Sequence, residues 1–281
     1  MSQQTSQKIA FALLTAAAVA VVVPIVLVIL YIIVQGIGAI NWEFLTAMPR
    51  SGMREGGILP AIVGTVVLTF GTAIVSIPLA IGAAIYLAEY ARDTWLTRLI
   101  RLAIINLAGI PSVVYGLFGL GLFVLFLHLG TSLIAGSLTL GLMTLPVVIS
   151  TAEEAILTVP QSFRVVSISL GGTRWQTIRH QVLPQALPGI LTGIILGLER
   201  AAGETAPILF TVAAFYLPRL PHSPFDQTMA LPYHLYVIST QVPGMPIDIQ
   251  YGTALVLMVL VLSMNVVATL LRSRFRRRRQ W

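Results

Sequence analysis

Charge is scarce in this sequence. Only 10% of its 281 residues are Asp, Glu, Lys or Arg, where an ordinary soluble domain carries about 25%. That shortage, with 57% hydrophobic residues and a mean hydropathy of +0.90, excludes the soluble class and points to an integral membrane protein. Cysteine is missing altogether, which excludes disulfides, thiolate metal sites and a cysteine nucleophile. His-Glu-x-x-His, Gly-x-Ser-x-Gly and the phosphate-binding P-loop are also absent. The four histidines, His128, His180, His222 and His234, are scattered. No catalytic role, metal or bound cofactor is therefore expected of this chain.

A formal net charge of +7 invites a nucleic-acid reading until the charges are located. Arg272, Arg274, Arg276, Arg277, Arg278 and Arg279 directly follow an apolar run. A basic tail abutting a span is a cytoplasmic stop signal and a contact for lipid headgroups. No nucleic-acid module accompanies it, so the bilayer is an expected partner and nucleic acid is not.

Six apolar stretches are long enough to cross a bilayer, about 20 residues each: 9–37, 58–90, 102–129, 132–158, 186–217 and 251–271. The first far exceeds the roughly 7–15-residue core of a signal peptide, so it is read as an uncleaved span despite its Ala16-Ala17-Ala18-Val19-Ala20. Pro78, Pro111 and Pro146 stand inside spans; Pro78 is expected to kink its helix. The fold expected is all-α: a first helix and connector over 1–57, a core of five helices over 58–273, and a basic tail over 274–281. Six crossings place both termini on one side. That side collects 13 Lys and Arg residues against 3 (Arg50, Arg54, Arg219) on the other, which makes it cytoplasmic.

The seventeenth basic residue, Arg200, lies within the fifth span, in Glu199-Arg200-Ala201-Ala202-Gly203-Glu204-Thr205-Ala206-Pro207. A charge in hydrocarbon costs about 2.5–3.5 kcal/mol on insertion scales, so it persists with a partner or a task. Arg200 and Glu204, four apart, share a helix face, with the arginine first, the weaker orientation for a stabilising pair. Two readings follow: a structural ion pair, or a waypoint for an ion or substrate. The connector 161–185 is polar and basic. In it Gly171 and Gly172 allow a sharp turn, and Thr173, Arg174 and Trp175 open a short helix expected to end near Leu183-Pro184. Such a helix docks in a partner's groove or lies on lipid with Trp175 as anchor; the residues alone leave both open.

Gly171 followed at fixed distance by Leu183-Pro184 resembles the coupling loop of ABC-importer permeases, although the family's Glu-Ala-Ala is Val165-Val166-Ser167 here. Gly56-Gly57-Ile58-Leu59-Pro60-Ala61-Ile62-Val63-Gly64-Thr65, Ala83-Ala84-Ile85-Tyr86-Leu87-Ala88-Glu89-Tyr90 and Gly109-Ile110-Pro111-Ser112-Val113-Val114-Tyr115-Gly116-Leu117-Phe118-Gly119 resemble high-affinity phosphate permeases of the Pst type. Thr205-Ala206-Pro207, Leu145-Pro146, Glu153-Glu154-Ala155 and Val159-Pro160 are similar to the PstA-like branch.

The resemblance implies the type I importer permease fold in the bacterial cytoplasmic membrane. It implies three kinds of partner: a second, PstC-like permease, two PstB-like ATPase subunits that use the ATP, and a periplasmic PstS-like phosphate-binding protein. It also implies a coupling segment at Gly171, Gly172, Thr173, Arg174, Trp175, Leu183 and Pro184, seated on the ATPase. Arg200 and Glu204 become the substrate path, and Glu199 has no assigned role. Tyr86, Glu89 and Tyr115 are read as packing or loop residues. Inorganic phosphate is the expected cargo; sulfate, molybdate or phosphonate, a passive anion channel and an intramembrane enzyme are the alternatives.

Topology is directly testable because no native cysteine competes. Single cysteines at Ser51 and Ser223 are expected to react with an impermeant maleimide from the periplasm, and one at Thr177 only from the cytoplasm. Periplasmic reaction at the third site would invert the assignment.

Overall fold

The computed structural model describes residues 3–277; Arg278 and Arg279 of the basic tail lie outside that range. Helix α1 (Gln3–Gly36) is apolar on all sides and packs chiefly along the last helix, where Tyr31 meets Tyr251 edge to face at 5.4 Å. A small cap follows. Asn41 accepts the Phe44 N–H at 2.8 Å to start α2 (Trp42–Thr46), and β1 (Pro49–Arg50) pairs antiparallel with β2 (Glu55–Gly56). α3 (Leu59–Ile85) continues as one helix through Pro78 and closes in a wide π-type turn, Tyr86–Tyr90.

The third crossing is broken rather than continuous. α4 (Trp95–Ala108) and α5 (Ser112–Gly119), extended by wide turns to Phe126, meet at 103°. Pro111 has no N–H for the helical ladder and forces Ile110 toward extended backbone. The Tyr115 hydroxyl donates to the Leu107 carbonyl at 2.9 Å and so ties α5 to the end of α4 across this elbow. Arg98 and Arg101, expected in a loop, stand on α4.

α6 (Leu133–Leu157) is the central helix, with α3 on one side and α9 on another. Its start is tied to the distant 222–226 turn: the Leu133 and Ile134 N–H groups donate to the carbonyls of Asp226 and Pro224. The Asp226 carboxylate accepts the N–H groups of His222 and Ser223, which hold its pKa below the usual carboxylate range. α7 (Gln161–Ser169) and α8 (Arg174–Thr177) form the connector.

The short helix expected to stop at Leu183-Pro184 does not stop. A π-type turn, Ile178–Val182, joins α8 to α9 (Leu183–Gly203). Pro184 falls in the first turn of α9, where a missing N–H is tolerated. The fifth span also ends at Gly203 rather than near 217, and α10 (Ala206–Thr211) follows as a separate turn. The stretch 218–250, expected as a loop, contains α11 (Leu231–Thr240), which buries Tyr233, His234, Val237 and Ile238. α12 (Ile247–Arg277) ends the described chain. Among the described residues five helices are long and apolar enough to cross a membrane, or six if the bent pair is one span.

Two devices let this bundle close in an apolar medium. Gly189, Gly193 and Gly197 recur every fourth residue along α9 and bring its backbone onto α6. A Cβ added at each would lie 2.5 Å from Ala155, 2.7 Å from Thr151 and 2.8 Å from Val148. Small residues at this spacing allow close packing where lipid removes the hydrophobic drive between helices. On α3 the buried hydroxyls of Thr65, Thr69 and Thr72 each donate to the carbonyl four residues back at 2.8 Å, so these three donors are satisfied within their own helix. Thr65 also accepts the Leu231 N–H at 2.8 Å, locking α11 to α3.

Thr177 is buried and its hydroxyl meets that of Ser167 at 2.8 Å, so the cytoplasmic labelling probe belongs at exposed Gln176. The glycine contact makes a second prediction. Gly193→Leu should destabilise the purified protein by about 1–3 kcal/mol through overpacking, read as a lower thermal midpoint. Gly82→Ala, where a Cβ meets nothing within 4 Å, should not lower it. An unchanged midpoint in Gly193→Leu would refute the close approach of α6 and α9.

Candidate functional site

Arg200 stands in the last turn of α9, and Glu204 caps it from outside the helix with extended backbone (φ −75°, ψ 137°). The shared helix face read from the four-residue spacing is therefore not what joins them. The chain turns at Gly203, and the Glu204 side chain folds back so that its Oε1 accepts from Arg200 Nε at 3.3 Å. The contact is long and single. Both Nη groups of Arg200 lack a protein partner among the described residues, and its side chain is 36% exposed against 17% for Glu204. A partly open guanidinium with free donors is suited to an anion, because its planar fork can grip two oxygens of one group.

The surroundings are built by the motifs found in the sequence. On α5, Gly116 lies against Ala206 and Pro207, where an added Cβ would come within 3.0 Å of the Ala206 carbonyl. Tyr115 beside it is buried. Ala201 and Ala202 are buried. Glu199 is set apart: it lines a cavity of about 160 Å³ with Leu198, Met264 and Ala268 between α9 and α12, and its Oε1 is buried without a hydrogen-bond partner. No group of three or more His, Asp or Glu residues that could hold a metal occurs among the described residues.

The connector is at the other end of the same long helix. Arg174 lies 26 residues before Arg200, about 40 Å at helical rise. Gly171 has φ +84°, a left-handed conformation that glycine adopts without cost, while the space around it is open. Thr173 and Gln176 form a reciprocal capping box: the Gln176 N–H donates to the Thr173 hydroxyl at 3.2 Å, and the Thr173 N–H to Gln176 Oε1 at 2.8 Å. Gly172, Thr173, Arg174 and half-exposed Trp175 thus project from one sharp turn. Leu183 and Pro184 are inside the continuous helix and do not share that turn. Val165, Val166 and Leu170 of α7 are exposed beside it, Leu170 to 84%.

The sequence reading missed two residues. Glu89, taken as packing, and Arg164, counted only as a basic charge, form a nearly buried pair at 2.6 Å. The available signal was their rarity, since few acids occur in this chain.

Residues 77–280 match the family described as binding-protein-dependent transport system inner membrane component. The chain belongs to that family. It is an integral-membrane permease subunit of an ATP-binding-cassette importer, a class that works with separate ATPase and substrate-binding partners. The probable ABC transporter permease protein YqgI of Bacillus subtilis is 33% identical to it over 95% of both chains. The probable phosphate transport system permease protein PstA of Methanocaldococcus jannaschii is 33% identical over 87% of this chain and 86% of its own.

Two solved structures share the fold. One is a bacterial ABC transporter involved in import of the polysaccharide alginate, with TM-score 0.65, 15% identity, and 97% and 99% coverage. The other is the MetNI methionine transporter, with TM-score 0.64, 16% identity, and 78% and 95% coverage. The permease fold thus serves cargoes of unlike chemistry.

Proposed function

We propose that this permease conducts inorganic phosphate into the cell, with Arg200 as the cationic waypoint and Glu204 as its resting counter-charge. The observation that carries the reading is the partly exposed guanidinium at the end of an apolar helix, held by one 3.3 Å contact and keeping two donor groups free. Phosphate at neutral pH is a mono- or dianion and needs a positive group on such a route. Glu204 neutralises Arg200 when the path is empty and yields when an anion arrives. Binding then stays weak enough for release, as conduction requires. The PstA relatives and the Pst-type motifs around Arg200 support phosphate over another oxyanion.

The working assembly on this reading is a PstC-like second permease, two PstB-like ATPases that bind and hydrolyse the ATP, and a PstS-like periplasmic binding protein. The termini face the cytoplasm by the basic asymmetry, which puts the Gly171–Trp175 turn where an ATPase can dock and the 41–57 cap where the binding protein can.

Charge-removing variants at near-constant shape test the assignment. Arg200→Gln should abolish or greatly reduce phosphate uptake in proteoliposomes of the full complex. Breaking a buried pair can itself cost about 3–5 kcal/mol, less here because the pair is partly exposed, so lost uptake alone decides little. The double variant Arg200→Gln with Glu204→Gln decides. It should assemble and hydrolyse ATP yet still fail to move phosphate. Uptake near that of the parent would make the pair structural and remove Arg200 from the path. Transport of sulfate or molybdate in place of phosphate by the parent complex would overturn the cargo.

A further inference from the structure

Two of the ion pairs among the described residues are surface features. Arg98–Asp93 and Arg50–Glu43 leave each side chain more than 60% exposed, and such pairs contribute little to stability. Arg164–Glu89 is different, with the two side chains 12% and 10% exposed. Arg164 spends all three of its nitrogens. Nε donates to both Glu89 oxygens (3.0 and 3.3 Å), Nη2 to Glu89 Oε1 (2.6 Å) and the Ile156 carbonyl (3.0 Å), and Nη1 to the Val159 carbonyl (2.6 Å). One guanidinium on α7 therefore holds the end of α3 and the end of α6 together.

The end of α3 is a meeting point for other cations as well. Arg101, from α4, donates to the Leu87 carbonyl at 3.0 Å and to Glu153 of α6 at 2.9 Å. Arg174, from the sharp turn, lies 5.7 Å from the centre of the Tyr90 ring. Leu87, Glu89 and Tyr90 all belong to the π-type turn that closes α3, a geometry that recurs at functional sites. Three arginines on three different elements thus contact three residues of one five-residue helix end.

A desolvated pair of this kind is a poor source of net stability, since losing water offsets much of the attraction. It is a good source of fixed geometry, because a guanidinium with all three nitrogens engaged cannot be displaced without moving what it holds. Beyond it, α6 packs on α3 and on α9, the latter through the glycine contacts, and α9 ends in Arg200.

We propose that Arg164 and Glu89 are positioning residues for transport: a strut that carries displacement of the α7–α8 connector into α3 and α6, and through α6 to the Arg200 end of α9. This rests on the reading that the ATPase docks on the connector, but not on which anion is carried.

The test uses the complete complex in liposomes. A single cysteine replaces Thr205, and its reaction with an impermeant maleimide is followed in this chain with and without ATP and vanadate. In the parent, nucleotide trapping should change the labelling rate at least about fivefold, the lower range of allosteric coupling. Glu89→Gln should copurify with its ATPase and hydrolyse ATP while that change collapses toward onefold, and Arg164→Gln with Glu89→Gln should be no worse than either single variant. An undiminished labelling response in Glu89→Gln would overturn the strut.

If Glu89→Gln fails to assemble, Glu89→Asp and Arg164→Lys are read instead. Lost response with intact assembly supports transmission. Assembly and response falling together would make the pair a folding brace and overturn the proposal. Labelling does not depend on the cargo, so a parent that fails to import phosphate would sink the proposed function alone.

Discussion

The close approach of α9 to α6 is the contact on which the rest depends. Gly189, Gly193 and Gly197 let one backbone lie against Ala155, Thr151 and Val148 with no room for a Cβ between them. In hydrocarbon, helices gain nothing from leaving solvent, so association rests on van der Waals fit, and small residues set how near two axes can come. Arg200 is carried at the end of the helix so placed. Its depth and its distance from α5 and α10 follow from packing made up to eleven residues earlier.

A second constraint is that polar groups inside this bundle must be satisfied from within. The protein answers it at short range where it can. Threonine hydroxyls on α3 return to their own helix, and the Tyr115 hydroxyl bridges the elbow to Leu107. Distant segments supply other partners: carbonyls of the 222–226 turn accept the first N–H groups of α6, Thr65 accepts that of Leu231, and arginine contacts gather on the last turn of α3. The ends of α3 and α6 are cross-braced by arginine contacts from α4 and α7, whereas Arg200 in the last turn of α9 is held by one long contact.

Much of this was legible in the sequence, for reasons that are local. Apolar runs longer than a bilayer needs, a charge content of 10% and arginines after the last run determine a multi-span membrane protein and its basic face. Arg200 stood out because a cation in an apolar run has few explanations, and the Gly171 turn because glycine at φ +84° is a property of one residue. The five to six membrane-length helices, the family and the permease fold agree with those signals.

What the tertiary structure alone decided depends on groups distant in the chain. The break at Pro111 and the continuity past Pro184 look alike as sequence. One proline opens a 103° elbow that Tyr115 and Leu107 close, and the other is absorbed by a π-type turn into a longer helix. Glu204 is four residues from Arg200 but not on its helix, because the backbone leaves the helical path at Gly203. α11 exists because Thr65 supplies a partner for its first N–H from 166 residues away. Glu89 and Arg164 are 75 residues apart; no spacing rule joins them, and their meeting is a consequence of how α3, α6 and α7 end. Sequence determined what each segment could be in a membrane, and packing determined which charges would meet, since hydrocarbon penalises each unpaired group according to its neighbours in space and not in the chain.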